Sequence, residues 1–225
     1  MSVPSRQTVE SLVREILLQQ VAATPGAAAT AGAAPTLVVN SSARHMHISP
    51  ENLAVLFGPG AELTVHKWLY QEGQFASQQT VTLIGPRKRI IPNLRILGPT
   101  RNLTQVELAL TDAIQLGIDI PVRMSGDIDG TPGAYIMGPK GMLEMTNGVI
   151  RAARHVHMSP DDAKFYSVKH LDKIGLRVTA PGCTTVFDDL IVRVDPSFKL
   201  EVHIDTDEAN ACDLDRATKV ELISR

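Results

Sequence analysis

The sequence predicts a mainly β protein built from two related halves with short capping helices, preceded by an amphipathic helix on a flexible linker. Three observations lead there: a series of short strand-like runs from Leu37 onward, turn clusters that punctuate them, and an eight-residue segment that recurs 110 positions later.

Taken in order, Thr8 to Val21 places Val9, Leu12, Val13, Ile16 and Leu17 at helical spacing, with Glu10, Arg14 and Gln19 around the rest of the wheel. Ala22 to Pro35 is almost entirely Ala, Gly, Thr and Pro, a composition that buries too little to offset its ordering entropy. Residues 1–21 therefore read as a helix whose apolar stripe needs a partner surface, and residues 22–35 as its linker. Strand patterns follow at Leu37 to Val39, Thr80 to Ile84, Val106 to Leu110, Leu176 to Thr179, Leu190 to Val194, Leu200 to Ile204 and Lys219 to Ile223. Gly58-Pro59-Gly60, Gly85-Pro86, Gly98-Pro99 and Pro181-Gly182 are among the turns between them, and such spacing points to barrels or sandwiches. Helix signals in this region are confined to Ser49-Pro50-Glu51 and Ser159-Pro160-Asp161, where a Ser N-cap precedes Pro and an acidic residue.

Composition narrows the function. The 22 basic and 24 acidic residues leave a net charge of -2, which provides no field for gripping nucleic acid. Two cysteines, Cys183 and Cys212, are too few for a disulfide framework or a thiolate cage and read as small buried hydrophobes of a reducing cytosol. Pro25 and Pro35 exclude a membrane-spanning helix from the uncharged stretch Val21 to Ala43, and Glu10, Arg14 and Glu15 interrupt any secretory apolar region. An intracellular protein with no membrane partner is expected.

The repeat carries the chemistry. Ala43-Arg44-His45-Met46-His47-Ile48-Ser49-Pro50 matches Ala153-Arg154-His155-Val156-His157-Met158-Ser159-Pro160 at six of eight positions. In a strand, alternate side chains share a face, so each H-x-H pair projects two imidazoles with bases about 7 Å apart, close enough to converge on one ion. A lone histidine is more often packed or solvated than ligating; two pairs in a recurring frame point to metal. Each pair needs a further ligand. The alternating run Leu200-Glu201-Val202-His203-Ile204 offers His203, and its weaker counterpart in the first half, Val106-Glu107-Leu108, offers Glu107. His45, His47 and Glu107 then form one site, and His155, His157 and His203 the other. Such shells suit zinc, nickel, copper or iron, and their open positions suit catalysis. His66 and His170 are left without a role.

These residues also carry a resemblance. Ser42-Ala43-Arg44-His45-Met46-His47, the run Gly98-Pro99-Thr100-Arg101-Asn102-Leu103-Thr104-Gln105-Val106-Glu107, and Arg154-His155-Val156-His157-Met158-Ser159 together resemble the PduL-type phosphotransacylases, from about Leu37 to the C-terminus. The resemblance implies two related small β-barrel domains, over residues 36–148 and 149–225, with residues 36–44 able to complete the second barrel. It implies two zinc ions per chain, held by the two proposed sites. It implies that Arg101 binds phosphate and is catalytic, and that propanoyl-CoA and phosphate are interconverted with propanoyl phosphate and CoA by direct attack on a metal-polarised thioester. The N-terminal helix looks like an encapsulation peptide engaging shell or core proteins of a bacterial microcompartment, and a homo-oligomer is compatible with all of this. On an unbroken strand Arg101 would stand about 20 Å from Glu107, so the reading requires a bend near Gly98-Pro99 or Asn102. No CoA-binding residues are assigned, and Arg87-Lys88-Arg89 and Gly138-Pro139-Lys140-Gly141 remain without a role.

Two other readings stand beside it. A cupin-like metal-dependent oxygenase would use His45, His47 and Glu51, and leaves the second H-x-H unexplained. A non-catalytic microcompartment component would use the metals structurally, against the open coordination positions.

Overall fold

The computed structural model describes residues 34–223, so the expected helix over residues 1–21 and most of the linker lie outside the described residues. Residues 36–223 belong to one compact unit. Its strands are β1 (Val38–Ser42), β2 (His45–His47), β3 (Val65–Trp68), β4 (Phe75–Ile84), β5 (Ile90–Gly98), β6 (Gln105–Glu107), β7 (Val122–Arg123), β8 (Ala134–Met137), β9 (Met142–Met145), β10 (Val149–Ala152), β11 (His155–Met158), β12 (Lys173–Thr179), β13 (Thr185–Val194), β14 (Glu201–Asp205) and β15 (Lys219–Ile223). The helices are short: α1 (Pro50–Phe57), α2 (Leu110–Leu116), α3 (Pro160–Phe165) and α4 (Thr206–Ala211). None of the described helices is long and apolar enough to cross a membrane.

The protein is mainly β, with two curled half-barrel sheets. One runs β7-β10-β6-β2-β5-β4-β8-β9, with β3 on β4; the other runs β1-β14-β11-β13-β12-β15. Each has its own apolar core, around Met46, Leu83, Leu94 and Ile96 in the first and around Val156, Leu176, Leu190 and Val202 in the second.

The two sheets repeat one arrangement. β2 lies between parallel β5 and antiparallel β6, as β11 lies between parallel β13 and antiparallel β14. β6 then takes β10 in parallel, as β14 takes β1. These last two strands are exchanged. β1 runs into β2 after only Ala43 and Arg44, yet it pairs in the other sheet and packs Leu37 and Val39 against the second core. β10 runs into β11 after only Ala153 and Arg154, yet it pairs in the first sheet.

Ion pairs and a shared cap fasten the joint. Arg151, on β10, places Nε 2.5 Å from Asp205 Oδ2 and Nη2 2.8 Å from Glu208 Oε1, and Arg154 reaches the same Glu208 oxygen at 2.8 Å. Asp207 on α4 accepts the Thr111 backbone N–H at the start of α2. That contact explains a correction to the sequence reading, which extended a strand to Leu110 where the strand ends at Glu107 and α2 begins. Ala109 gives α2 no side-chain cap; the acceptor comes from a residue 96 positions away. α4 was also missed, although Asp205 and Glu208 form a capping box legible in the sequence. Cys212 is buried as expected, but Cys183 is only partly so.

Arg151→Met should destabilise the protein by about 3 kcal/mol, because Asp205 stays largely buried without its cation. Thermal or denaturant unfolding measures this, and a shift near zero would mean that the joint does not depend on the pair.

Candidate metal centre

Met46 and Val156, the middle residues of the two H-x-H strands, are completely buried, so the flanking imidazoles turn to the opposite face. Ser49 and Ser159 end these segments by capping α1 and α3 through the Asn52 and Asp162 backbone N–H groups. Across the antiparallel ladders His45 stands opposite Glu107, and His155 opposite His203. The donor atoms of His45, His47 and Glu107 all lie within 4.8 Å of one another, as do those of His155, His157 and His203. Glu51, the third residue of the cupin-like reading, is exposed in the first turn of α1 and is not in the group.

The crossovers orient the leading histidines. His45 Nδ1 lies 2.8 Å from the Ala43 carbonyl, and His155 Nδ1 lies 2.9 Å from that of Ala153. A carbonyl only accepts, so Nδ1–H donates in both rings and Nε2 is the atom turned away from the crossover; His45 Nε2 is 3.5 Å from Glu107 Oε2.

Protonation states follow from burial and repulsion. Burial, then the neighbouring His45 and Arg101, lowers His47 to about 3. Burial, then His203, lowers His155 to about 4, and burial, then His155 and His203, lowers His157 to about 2. Burial alone would raise the Glu107 carboxyl, but His45, His47 and the Ser125 hydroxyl hold it below its ordinary value. Three of the imidazoles are thus neutral at physiological pH and the carboxylate is ionised, the forms in which these groups ligate metals.

The donors fit such an ion. Both ring nitrogens of His157 and Nδ1 of His47 are buried without a hydrogen-bond partner. Unpartnered buried imidazole nitrogens are costly, and coordination removes that cost. A pocket between the clusters is lined by Glu107 of one, His155 and His203 of the other, and by Ser42, Ala152 and Ala153 at the crossovers.

Arg101, absent from that lining, reaches the first cluster by another route. The chain turns between β5 and β6, the Arg101 backbone N–H bonds the Ile48 carbonyl at 2.9 Å, and Nη1 lies 3.5 Å from Ser125 Oγ. Ser125 in turn donates to Glu107 at 2.9 Å. Neither Ser125 nor Arg193 is marked by any pattern in the sequence. Arg193 occupies the position on β13 paired with His157, and its guanidinium lies over the Phe198 ring, which packs on His157. Burial lowers both arginines, Glu107 raises both, and Arg193 lowers Arg101 further. Among the described residues neither guanidinium has a carboxylate at ion-pair distance. His170, left without a role, accepts the Val194 backbone N–H, and His66 is exposed on β3.

Two groups of potential metal ligands stand beside two guanidiniums that have no carboxylate at ion-pair distance among the described residues, an arrangement suited to an anionic substrate. Residues 38–215 match the family model for phosphate propanoyltransferase. The chain is similar to the phosphate propanoyltransferase of Planctopirus limnophila, 54% identical over 97% of this chain and 91% of that one. It is similar to the Thermotoga maritima enzyme of the same name, 49% identical over 84% and 90%, and to that of Lachnoclostridium phytofermentans, 50% identical over 77% and 80%. The chain belongs to the phosphate propanoyltransferase family.

His157→Ala should lose the metal of the second cluster and keep that of the first, as read by elemental analysis after desalting. Parental metal content in the variant would remove His157 from the ligand set.

Proposed function

We propose that the chain interconverts propanoyl-CoA and phosphate with propanoyl phosphate and CoA, using one zinc ion in each cluster. The activity is that of its family; the observation that carries the finer reading is the meeting of two open donor clusters from the two sheets beside Arg101 and Arg193. Two imidazoles with a carboxylate, and three imidazoles, are donor sets that suit zinc. When bound, zinc supplies Lewis-acid polarisation of the thioester carbonyl and an acceptor for the departing thiolate.

The chain's own residues do the rest. Phosphate is nucleophilic at neutral pH, so it needs holding and aiming more than activation. Arg101 and Arg193, partly dehydrated and without carboxylate partners, present planar paired donors to its oxygens. Ser125 bridges Arg101 to Glu107 and so fixes the phosphate side relative to the first cluster. The pocket lined by Leu108, Ala152, Ala153 and Ile204 receives the acyl thioester end. Direct attack of phosphate on the thioester carbon then needs no acyl-enzyme, and the hydroxyl of Ser125, the serine in this group, is engaged in the bridge between Arg101 and Glu107.

Residues 1–21 are proposed to dock on microcompartment shell or core proteins, with residues 22–35 as tether. The match to the Planctopirus limnophila relative spans 97% of this chain, too much to leave out most of this segment.

The zinc-loaded protein should release CoA thiol from propanoyl-CoA only when phosphate is supplied, and chelation should abolish the release. Absence of phosphate-dependent release would sink the reading. Arg101→Lys and Arg193→Lys should each raise KM for phosphate about tenfold or more while leaving KM for propanoyl-CoA near the parent's, the cost of a lost charge-assisted hydrogen bond. Removal of residues 1–35 should spare turnover and abolish co-localisation with shell proteins; loss of turnover would contradict that division of labour.

A further inference from the structure

The repeat that aligns the two clusters also aligns the residues behind them. His47 stands opposite Gln105 across its ladder, as His157 stands opposite Glu201. Each of these residues lies two positions before the third donor of its cluster, and each reaches that donor. Gln105 Nε2 donates to Glu107 Oε1 at 2.6 Å, and Glu201 Oε2 lies 3.1 Å from His203 Nε2.

The polarities are opposite. Where the third donor is a carboxylate, the residue behind it offers an amide N–H; where it is an imidazole, the residue behind it offers a carboxylate. Neither orientation is free. The Gly126 backbone N–H donates to Gln105 Oε1 at 2.7 Å, which obliges Nε2 to face Glu107 and Ser125. Lys199 N–H donates to Gln71 Oε1 at 3.0 Å, which turns Gln71 Nε2 onto Glu201 Oε2 at 2.6 Å, and Asn40 Nδ2 donates to Glu201 Oε1. Glu201 is only 3% exposed, and each of its carboxyl oxygens takes one of these donors.

We propose that Gln105 and Glu201 are positioning residues of matched function and opposite polarity, each holding the third ligand of its own cluster in its metal-binding orientation and thereby setting that cluster's affinity. The proposal rests on reading the clusters as zinc sites. A hydrogen-bonding partner behind a ligand typically governs metal affinity by 10–100-fold.

The test is a polarity exchange in the full chain, Glu201→Gln and Gln105→Glu, with zinc affinity read by competition against a chromophoric chelator and folding by circular dichroism. Glu201→Gln should weaken the second cluster's zinc by about 10–100-fold and leave the first within a few-fold of the parent; Gln105→Glu should do the reverse. The clusters are told apart in a His157→Ala background, where adding Glu201→Gln should change nothing further. Gln71→Ala, which removes a hydrogen bond from Glu201 but leaves its charge beside His203, should lower thermal stability while keeping both zinc affinities within a few-fold. If the parent binds two zinc ions and Glu201→Gln retains both at parental affinity, or Gln71→Ala loses the second as fully as Glu201→Gln does, the positioning role is wrong. A parent that binds no zinc overturns the metal reading and this inference together.

Discussion

The exchange of β1 and β10 between the sheets is the constraint on which the site depends. Each strand is hydrogen-bonded beside the third donor of one cluster and, two residues after it ends, becomes the H-x-H strand of the other. Asn40 pairs with His203 and the chain reaches His45 five residues later; Ile150 pairs with Glu107 and the chain reaches His155 five residues later. Five residues of extended chain span at most about 18 Å, so the two clusters cannot drift apart without breaking a ladder. The carbonyls that hold His45 and His155 belong to these crossovers, Ala43 and Ala153, so the connection that brings the clusters together also aims their leading rings.

The same arrangement concentrates groups that a protein selected for stability alone would avoid. Neutral imidazoles with unpartnered nitrogens, an ionised buried carboxylate, and two guanidiniums that repel each other all lie where the sheets meet. Two large apolar cores and the ion pairs of Arg151 and Arg154 oppose this locally unfavourable electrostatics. A pair of partly dehydrated cations without carboxylate partners has an evident resolution, which is to bind an anion.

What could be read from the sequence followed from periodicity. The H-x-H pairs were legible because a strand puts alternate residues on one face and because the frame occurs twice; His203 followed from the alternating run Leu200 to Ile204, and Glu107 from the weaker counterpart of that run in the first half. Arg101 was legible only through resemblance, since its approach to Glu107 depends on a turn and on Ser125, which no periodicity announces. Arg193 sits in an ordinary alternating strand, Val192-Arg193-Val194, and acquires meaning only when β13 is laid beside β11. The start of α2 was illegible for a related reason: its acceptor belongs to the other half of the chain. Lateral pairing, unlike alternation, is a long-range property and leaves no local trace.

Glu201 shows how far the second cluster depends on the first half. A carboxylate at 3% exposure is tolerable only when its lone pairs are satisfied. Its two neutral donors are Asn40, which belongs to the exchanged strand β1, and Gln71, from the connection between β3 and β4 in the first sheet. Residues 149–225 cut free of the rest would keep all three histidines in sequence, yet would lose both of these donors and the strand paired beside Glu201. The duplicated halves are therefore not two independent metal domains that happen to touch. Each completes the other's cluster, and the chemistry proposed for them belongs to the joint.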